Sequence, residues 1–392
     1  MAVDAAVWCR LQLAVVGAHI NAAAPLVAIY GLPKALSMTA VIALLHGASA
    51  RYLIHAAAES ADSYGAVAAS CGLGRRRRAM ADGAALVVVA SACAKRLGSA
   101  AGALAGVIEG PSYLVNVCAA LGLGLTQCTN QIIAARLIAL RTGLAAAALD
   151  KSARVATTAA VLGLLGLLAI IVLGVQATDV AVETAHPLKA LASLNVAFAT
   201  LQPASLSLVL RRALAGGDPD ALASAAVAAA LTTGALYAVV AVSGNSPSDT
   251  LPSAAVAALS LVPLVPPLRH AVEGVAEGLA LRTRSRALAA SAVAVVFLLA
   301  SAVPDDVWAA VVALGAGLTS FALPIWCHWR VERPRGDPRQ LCKSVRFVLM
   351  EIVLPAVVLF LGVALSVLPA AGLVARAAVG VVPREQSRLV ER

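Results

Sequence analysis

Charge and aromatic rings are scarce in this chain. Charged residues make up 13% and aromatics 4% of its 392 positions, against 61% hydrophobic. A soluble domain of this length must wet its outside, and this composition leaves too little polar surface to do so. That excludes an ordinary soluble enzyme and leaves lipid as the solvent for the apolar excess. Cysteines are few and scattered (Cys9, Cys71, Cys93, Cys118, Cys128, Cys327, Cys342), odd in number and without a CxxC pair. This excludes a disulfide framework and any familiar metal-ligand spacing. No phosphate-cradling GxxxxGK[ST] loop, zinc-binding HExxH helix or GxSxG elbow occurs, so no ATP-driven motor, zinc protease or serine hydrolase is expected. No cofactor or metal is expected either. Asn245 is followed by Ser246 and Pro247, and Asn116 by Val117 and Cys118, so no N-glycan acceptor is usable. The N-terminus has no recognisable cleavable signal, since Trp8-Cys9-Arg10 leads directly into a long apolar run.

What is present is a series of apolar runs, each near the roughly 20 residues that cross a bilayer as a helix. They cover Leu11 to Gly31, Leu36 to about Ala57, a run from near Gly83, Pro111 to about Ala135, and Val155 to Gln176. Then follow Pro187 to Leu210, Ala221 to Val242, Leu251 to about Leu268, Ala287 to Val303, Trp308 to Trp329, and Phe347 to Leu368. The third run is interrupted by Lys95 and Arg96. It either ends at Ala94 or continues toward Val107 with both charges snorkelling or lining an interior. The expected fold is therefore all-α, a polytopic transmembrane bundle of about ten or eleven spans. It forms one integral membrane domain over residues 1–392, with basic cytosolic loops at 58–82 and 330–346 and a short tail at 370–392. The apolar load is carried by Ala, Val, Leu and Gly, and small residues let helix backbones approach closely in lipid.

Basic residues orient the bundle. With a cytosolic N-terminus, Arg10, Arg51, Arg75–Arg78, Arg136, Arg141, Arg211, Arg212, Arg269 and the 330–346 group fall inside. Few fall outside: Lys34, Lys95, Arg96, Lys189 and the tail arginines, while Asp179, Glu183, Asp249, Asp305 and Asp306 mark outer loops. This alternation is the positive-inside pattern. It accounts for the net charge of +10 without nucleic-acid binding, for which the arginines lack interleaved aromatics or a folded module. The lipid bilayer is the expected partner.

Within the fourth run, Gln127, Asn130 and Gln131 share one helix face, extended by Asn116 eleven positions earlier. Amides in lipid are costly unless paired, so this stripe should face the bundle interior beside Asn21 of the first run, around a small pocket. It either lines a path for a polar solute or joins helices by hydrogen bonds. His19, His46, Asn195 and Gln202 are further isolated interior polar residues, more readily packing groups than proton carriers. Arg269, His270, Glu273 and Glu277 form the densest ionisable cluster beside a span, with Arg269, Glu273 and Glu277 spaced to stack on one face. It is either a gate or an ordinary charged helix end. Glu351 is placed to pair with Lys343 or Arg346. Pro203, Pro263, Pro266, Pro267, Pro324 and Pro355 lie in or beside spans, where proline kinks helices and frees backbone carbonyls.

The opening Trp8-Cys-Arg-Leu-Gln12 with the following AVVGAHINAAAP, the stretch WAAVVALGAGL from Trp308, the loop RVERPRGDPRQLCKSVRF (330–347) and the span VLMEIVLPAVVLFLGVAL (348–365) resemble one family. It is the multispanning, non-glycosylated envelope-associated membrane protein family encoded in the unique long region of alphaherpesviruses. The family's long central hydrophilic loop has no counterpart here. The resemblance implies a location in the virion envelope and host cell membranes, no enzymatic activity, and a role in modulating membrane fusion or organising the virion membrane, with other envelope membrane proteins as partners. The span number and orientation also resemble the equilibrative nucleoside transporters, relatives of the major facilitator fold, and Glu273-Gly-Val-Ala-Glu277 through Arg282 is loosely similar to that family's acidic-then-arginine helix. That second likeness implies a secondary transporter of a nucleoside-like or other polar solute, or a degenerate descendant of one.

The topology is directly testable. A tag in the 75–78 region or the 330–346 loop should be protected in sealed cells, and a tag at Asp305–Asp306 should be reachable from outside. Finding the first and last of these on the same side contradicts the orientation.

Overall fold

The computed structural model describes residues 24–58, 61–107, 161–166, 168–169, 218–242, 262–278, 305–331 and 348–380, with single positions at 158, 191, 194, 195, 198, 208, 256, 259 and 260. Every regular element among these is helical. They are α1 (Ala24–Tyr30), α2 (Leu32–Ala56), α3 (Tyr64–Ser70), α4 (Arg75–Val107), α5 (Pro219–Val242), a 3-10 turn (Val262–Leu264) running into α6 (Val265–Gly278), α7 (Asp305–Ala316), a π-helical turn (Gly317–Ala322), α8 (Leu323–Val331), a second π-helical turn (Val348–Val353) and α9 (Leu354–Gly380).

Among the described residues, four helical stretches are long and apolar enough to cross a membrane: Leu32–Ala56, Pro219–Leu236, Val307–Val331 and Val348–Gly372. They coincide with four of the expected runs. Only 17% of the last stretch is buried, against 67% of Val307–Val331. Val357, Phe360, Leu361 and Val367 of α9 point outward, an apolar face suited to lipid and not to water.

Local chemistry explains the boundaries. Gly31 at φ +75° adopts a conformation that a β-carbon disfavours, and it separates α1 from α2, which opens with Pro33 in its first turn. Ser63 caps α3 by accepting the Ala66 N–H at 3.1 Å. Gly72 at φ +80° ends α3: its N–H bonds the Ala69 carbonyl at 2.9 Å, and that of Leu73 bonds Ala68 at 3.0 Å. This paired closure of a helix C-terminus needs a left-handed residue.

Two expectations are corrected, and one choice left open by the sequence is decided. The 58–82 segment is not an open loop, because α3 and the first turns of α4 occupy much of it, and Arg75–Arg78 are the exposed first turn of α4. Of the two courses open to the third run, the longer one holds: α4 continues through Lys95 and Arg96 to Val107; both are good helix formers, and no proline or capping glycine intervenes. The last helix passes Leu368 and Pro369 and reaches Gly380, so the first half of the 370–392 tail is helical, in keeping with its Ala- and Leu-rich composition. Residues 332–347, most of the other basic loop, lie outside the described residues.

Helices approach where side chains are small, as expected in lipid. A β-carbon on Gly47 of α2 would lie 3.3 Å from the Val227 backbone of α5, and one on Gly234 of α5 would lie 3.3 Å from Ala43 of α2. At Gly362 of α9 it would stand 2.2 Å from the Phe321 ring, a ring with no accessible surface. Gly362→Ala should therefore lower stability by about 1–3 kcal/mol through overpacking. Thermal unfolding of the detergent-solubilised chain checks this, and an unchanged Tm contradicts the close α9–Phe321 contact.

Candidate functional site

The polar groups inside the bundle gather along α2. His46, Ser49 and Tyr52 recur every third residue and so share one broad helix face, which lies against α8, α9 and the segment carrying Asn195. His46 Nε2 lies 3.1 Å from Asn195 Oδ1. The Asn195 amide nitrogen donates to Ser366 Oγ at 3.3 Å, and Ser366 donates to the Gly362 carbonyl at 2.8 Å. With the Asn195 nitrogen directed at Ser366, its oxygen is left to accept, which assigns the His46 proton to Nε2. The imidazole is clasped by Phe198 and Phe321, with ring centroids at 5.7 and 4.8 Å. His46 and Asn195, isolated polar residues in the sequence, are thus each other's partners.

Two prolines shape the rest of the seam. Pro324 supplies no N–H to the carbonyl of Ser320 one turn back, and the Ser49 hydroxyl of α2 donates to that carbonyl instead. Pro355 likewise supplies none to Glu351, and the Trp329 indole N–H donates there at 3.1 Å. Beside it, the Tyr52 hydroxyl donates to the Met350 carbonyl at 3.3 Å. Each proline is the second residue after a π-helical turn, where wider backbone spacing offers carbonyls sideways. At Pro324 and Pro355 the carbonyls one turn back thus accept from neighbouring side chains; Pro203 lies outside the described residues.

Glu351 takes His328 as its partner, Oε2 to Nε2 at 3.0 Å, with the Tyr52 ring 4.5 Å from His328. The sequence assigned it to Lys343 or Arg346, which lie outside the described residues. His328, at the end of one helix, and Glu351, at the start of the next, meet because the two pack as a pair.

The charged cluster stands on α6, which begins after the 3-10 turn. The run from Leu251 is therefore interrupted before Leu268, where Pro263, Pro266 and Pro267 remove successive amide donors. Arg269 and Glu273 pair across one turn at 3.8 Å. His270 Nδ1 lies 3.4 Å from Glu273 and 3.5 Å from Asp62. Arg75 of α4 donates to the Glu277 carbonyl at 2.6 Å. The cluster thus binds α6 to α4 and to the chain preceding α3. Behind it, unforeseen in the sequence, is Asp82 of α4, only 3% exposed. Its Oδ1 accepts the Gly65 N–H at 2.6 Å.

Asn21, Asn116, Gln127, Asn130 and Gln131, with the pocket expected beside them, and His19 and Gln202 lie outside the described residues. Among the described residues no group of His, Cys, Asp and Glu is arranged to hold a metal ion. No protein-family model matches the chain, and no curated protein matches it.

The proline–donor pairing gives a specific coupling. Ser49→Ala should cost about 1–3 kcal/mol, the usual range for stranding a buried polar group. In a Pro324→Ala background, which restores a helical N–H, the same change should cost at least about 0.5 kcal/mol less. Equal costs in the two backgrounds, read from unfolding of all four proteins, contradict the pairing.

Proposed function

We propose that this chain is a multispanning protein of the viral envelope and host cell membranes, without enzymatic activity, that organises the membrane or modulates its fusion. The observation that supports this reading is the seam along α2. Its histidine, amide, hydroxyl and indole groups bond one another or backbone carbonyls and leave an apolar exterior. Such an interior is suited to holding helices in register and ill suited to passing a solute.

A secondary transporter of a polar solute is the second reading. It is favoured by one feature, the buried Asp82 carboxylate beside a small cavity just ahead of the third run.

Two measurements separate them. Co-expression with the membrane-fusion proteins of an alphaherpesvirus should alter the extent of cell–cell fusion, and nucleosides, amino acids and sugars should leave the Tm of the purified chain unchanged. Unaltered fusion together with a ligand-dependent rise in Tm contradicts the envelope reading and supports transport.

A further inference from the structure

Asp82 sits where three elements meet. Its Oδ1 accepts the Gly65 N–H of α3 at 2.6 Å. Its Oδ2 lies so close to two backbones that an added β-carbon would be 1.9 Å away at Gly65 and 2.0 Å away at Gly274 of α6. No other residue type fits at either place without displacing the carboxyl. One turn on, Gly278 of α6 faces Ala79 of α4, where a β-carbon would stand 2.3 Å from the alanine methyl. The carboxyl is therefore the centre of the α3–α4–α6 junction. A cavity of about 10 Å³ opens beside it, lined by Asp62, Ser63, Tyr64 and Asp82 on its polar side and by Leu208 and Pro267 on its apolar side. That is room for a single water.

We propose that Asp82 is a proton-binding site that controls how tightly α6 and α3 dock on α4. The charged surroundings favour the proton. Asp62, leading into α3, and Glu277 of α6 both act on Asp82 with like charge. The opposite charges are engaged elsewhere: His270 with Asp62 and Glu273, Arg269 with Glu273, Arg75 with the Glu277 carbonyl, and Arg78 with the Leu73 carbonyl. From α7, the contacts with Val88 of α4 are Val312, Ala316 and Trp308, none of them titratable. Ser63 serves either state. Its hydroxyl can donate to a carboxylate or accept from a carboxylic acid.

Burial, followed by the two like charges, outweighs the Gly65 and Ser63 hydrogen bonds and pushes the Asp82 carboxyl up to about 6. The sign follows from linkage. A carboxyl that holds its proton more tightly when buried than when hydrated stabilises the closed junction fully below its ordinary value near 4, and this stabilisation is lost as pH rises through about 6. Acidification therefore tightens the junction and neutral pH loosens it. Between pH 5 and 7.5 the opening equilibrium of α6 should rise roughly ten-fold.

The test is hydrogen exchange of the α6 amides in the full chain in nanodiscs, corrected for intrinsic exchange chemistry, from pH 4.5 to 7.5. The wild-type opening equilibrium should rise roughly ten-fold between pH 5 and 7.5, with a midpoint near 6. Asp82→Asn, which keeps the acceptor for Gly65, should be flat, with any remaining slope belonging to the histidines. Glu277→Gln alters an exposed side chain and guards against a misfolded Asp82 variant; it should move the midpoint to lower pH. Wild-type pH dependence retained in Asp82→Asn, or an unmoved midpoint in Glu277→Gln, overturns the proposal.

Discussion

A backbone carbonyl in hydrocarbon has no water to turn to, so one deprived of its helical N–H must find another donor. Pro324 and Pro355 create two such carbonyls, at Ser320 and Glu351, and both are met by side chains: Ser49 from α2 and Trp329 from α8. The stretches Val307–Val331 and Val348–Gly372 can therefore bend at their π-helical turns without stranding polar groups. Helix α2 is fixed against them by Ser49 and by Tyr52, whose hydroxyl donates to the Met350 carbonyl. His46, three residues before Ser49, closes the chain through Asn195 to Ser366 and Gly362.

Small residues make this possible. In lipid no hydrophobic force presses helices together, and association rests on close packing and interhelical hydrogen bonds. Gly47 and Gly234 bring α2 and α5 together, Gly362 admits the Phe321 ring, and Gly65 and Gly274 admit the Asp82 carboxyl. The polar contacts and the glycines are complementary. A hydroxyl reaches a carbonyl on the next helix only where the backbones nearly touch. The two polar regions differ: along α2, His46, Ser49 and Tyr52 meet an amide and backbone carbonyls, whereas the α3–α4–α6 junction is centred on a buried carboxyl.

The sequence made the helical class legible because lipid permits few alternatives, and the spans matching α2, α5, α7–α8 and α9 follow from apolar length alone. Proline positions announced freed carbonyls but not their donors. Ser49 and Ser320 stand 271 positions apart, and Trp329 and Glu351 stand 22 apart, so nothing local pairs them. His46 and Asn195 were recognisable as buried polar groups, yet their pairing across 149 positions is a product of tertiary packing. Asp82 was hidden for a different reason. Four residues after an arginine run it reads as part of a solvated loop, and only the glycines at 65, 274 and 278, the last two spaced as GxxxG, could have suggested a close-packed corner there. The extension of α4 through Lys95 and Arg96 to Val107 was one of two courses open in the sequence, because charge weighed against a span while helix propensity continued unbroken.

The dependence of the bundle on side-chain donors for proline-freed carbonyls is most directly measured at Glu351. With a ¹³C label on that carbonyl alone, isotope-edited infrared spectroscopy reports whether it accepts a hydrogen bond. The wild-type band should lie at the lower frequency of a bonded amide and move up in Trp329→Phe, with the helix content of the chain unchanged. A band at the same frequency in both proteins would mean that the indole is not the donor, and that these prolines are accommodated in some other way.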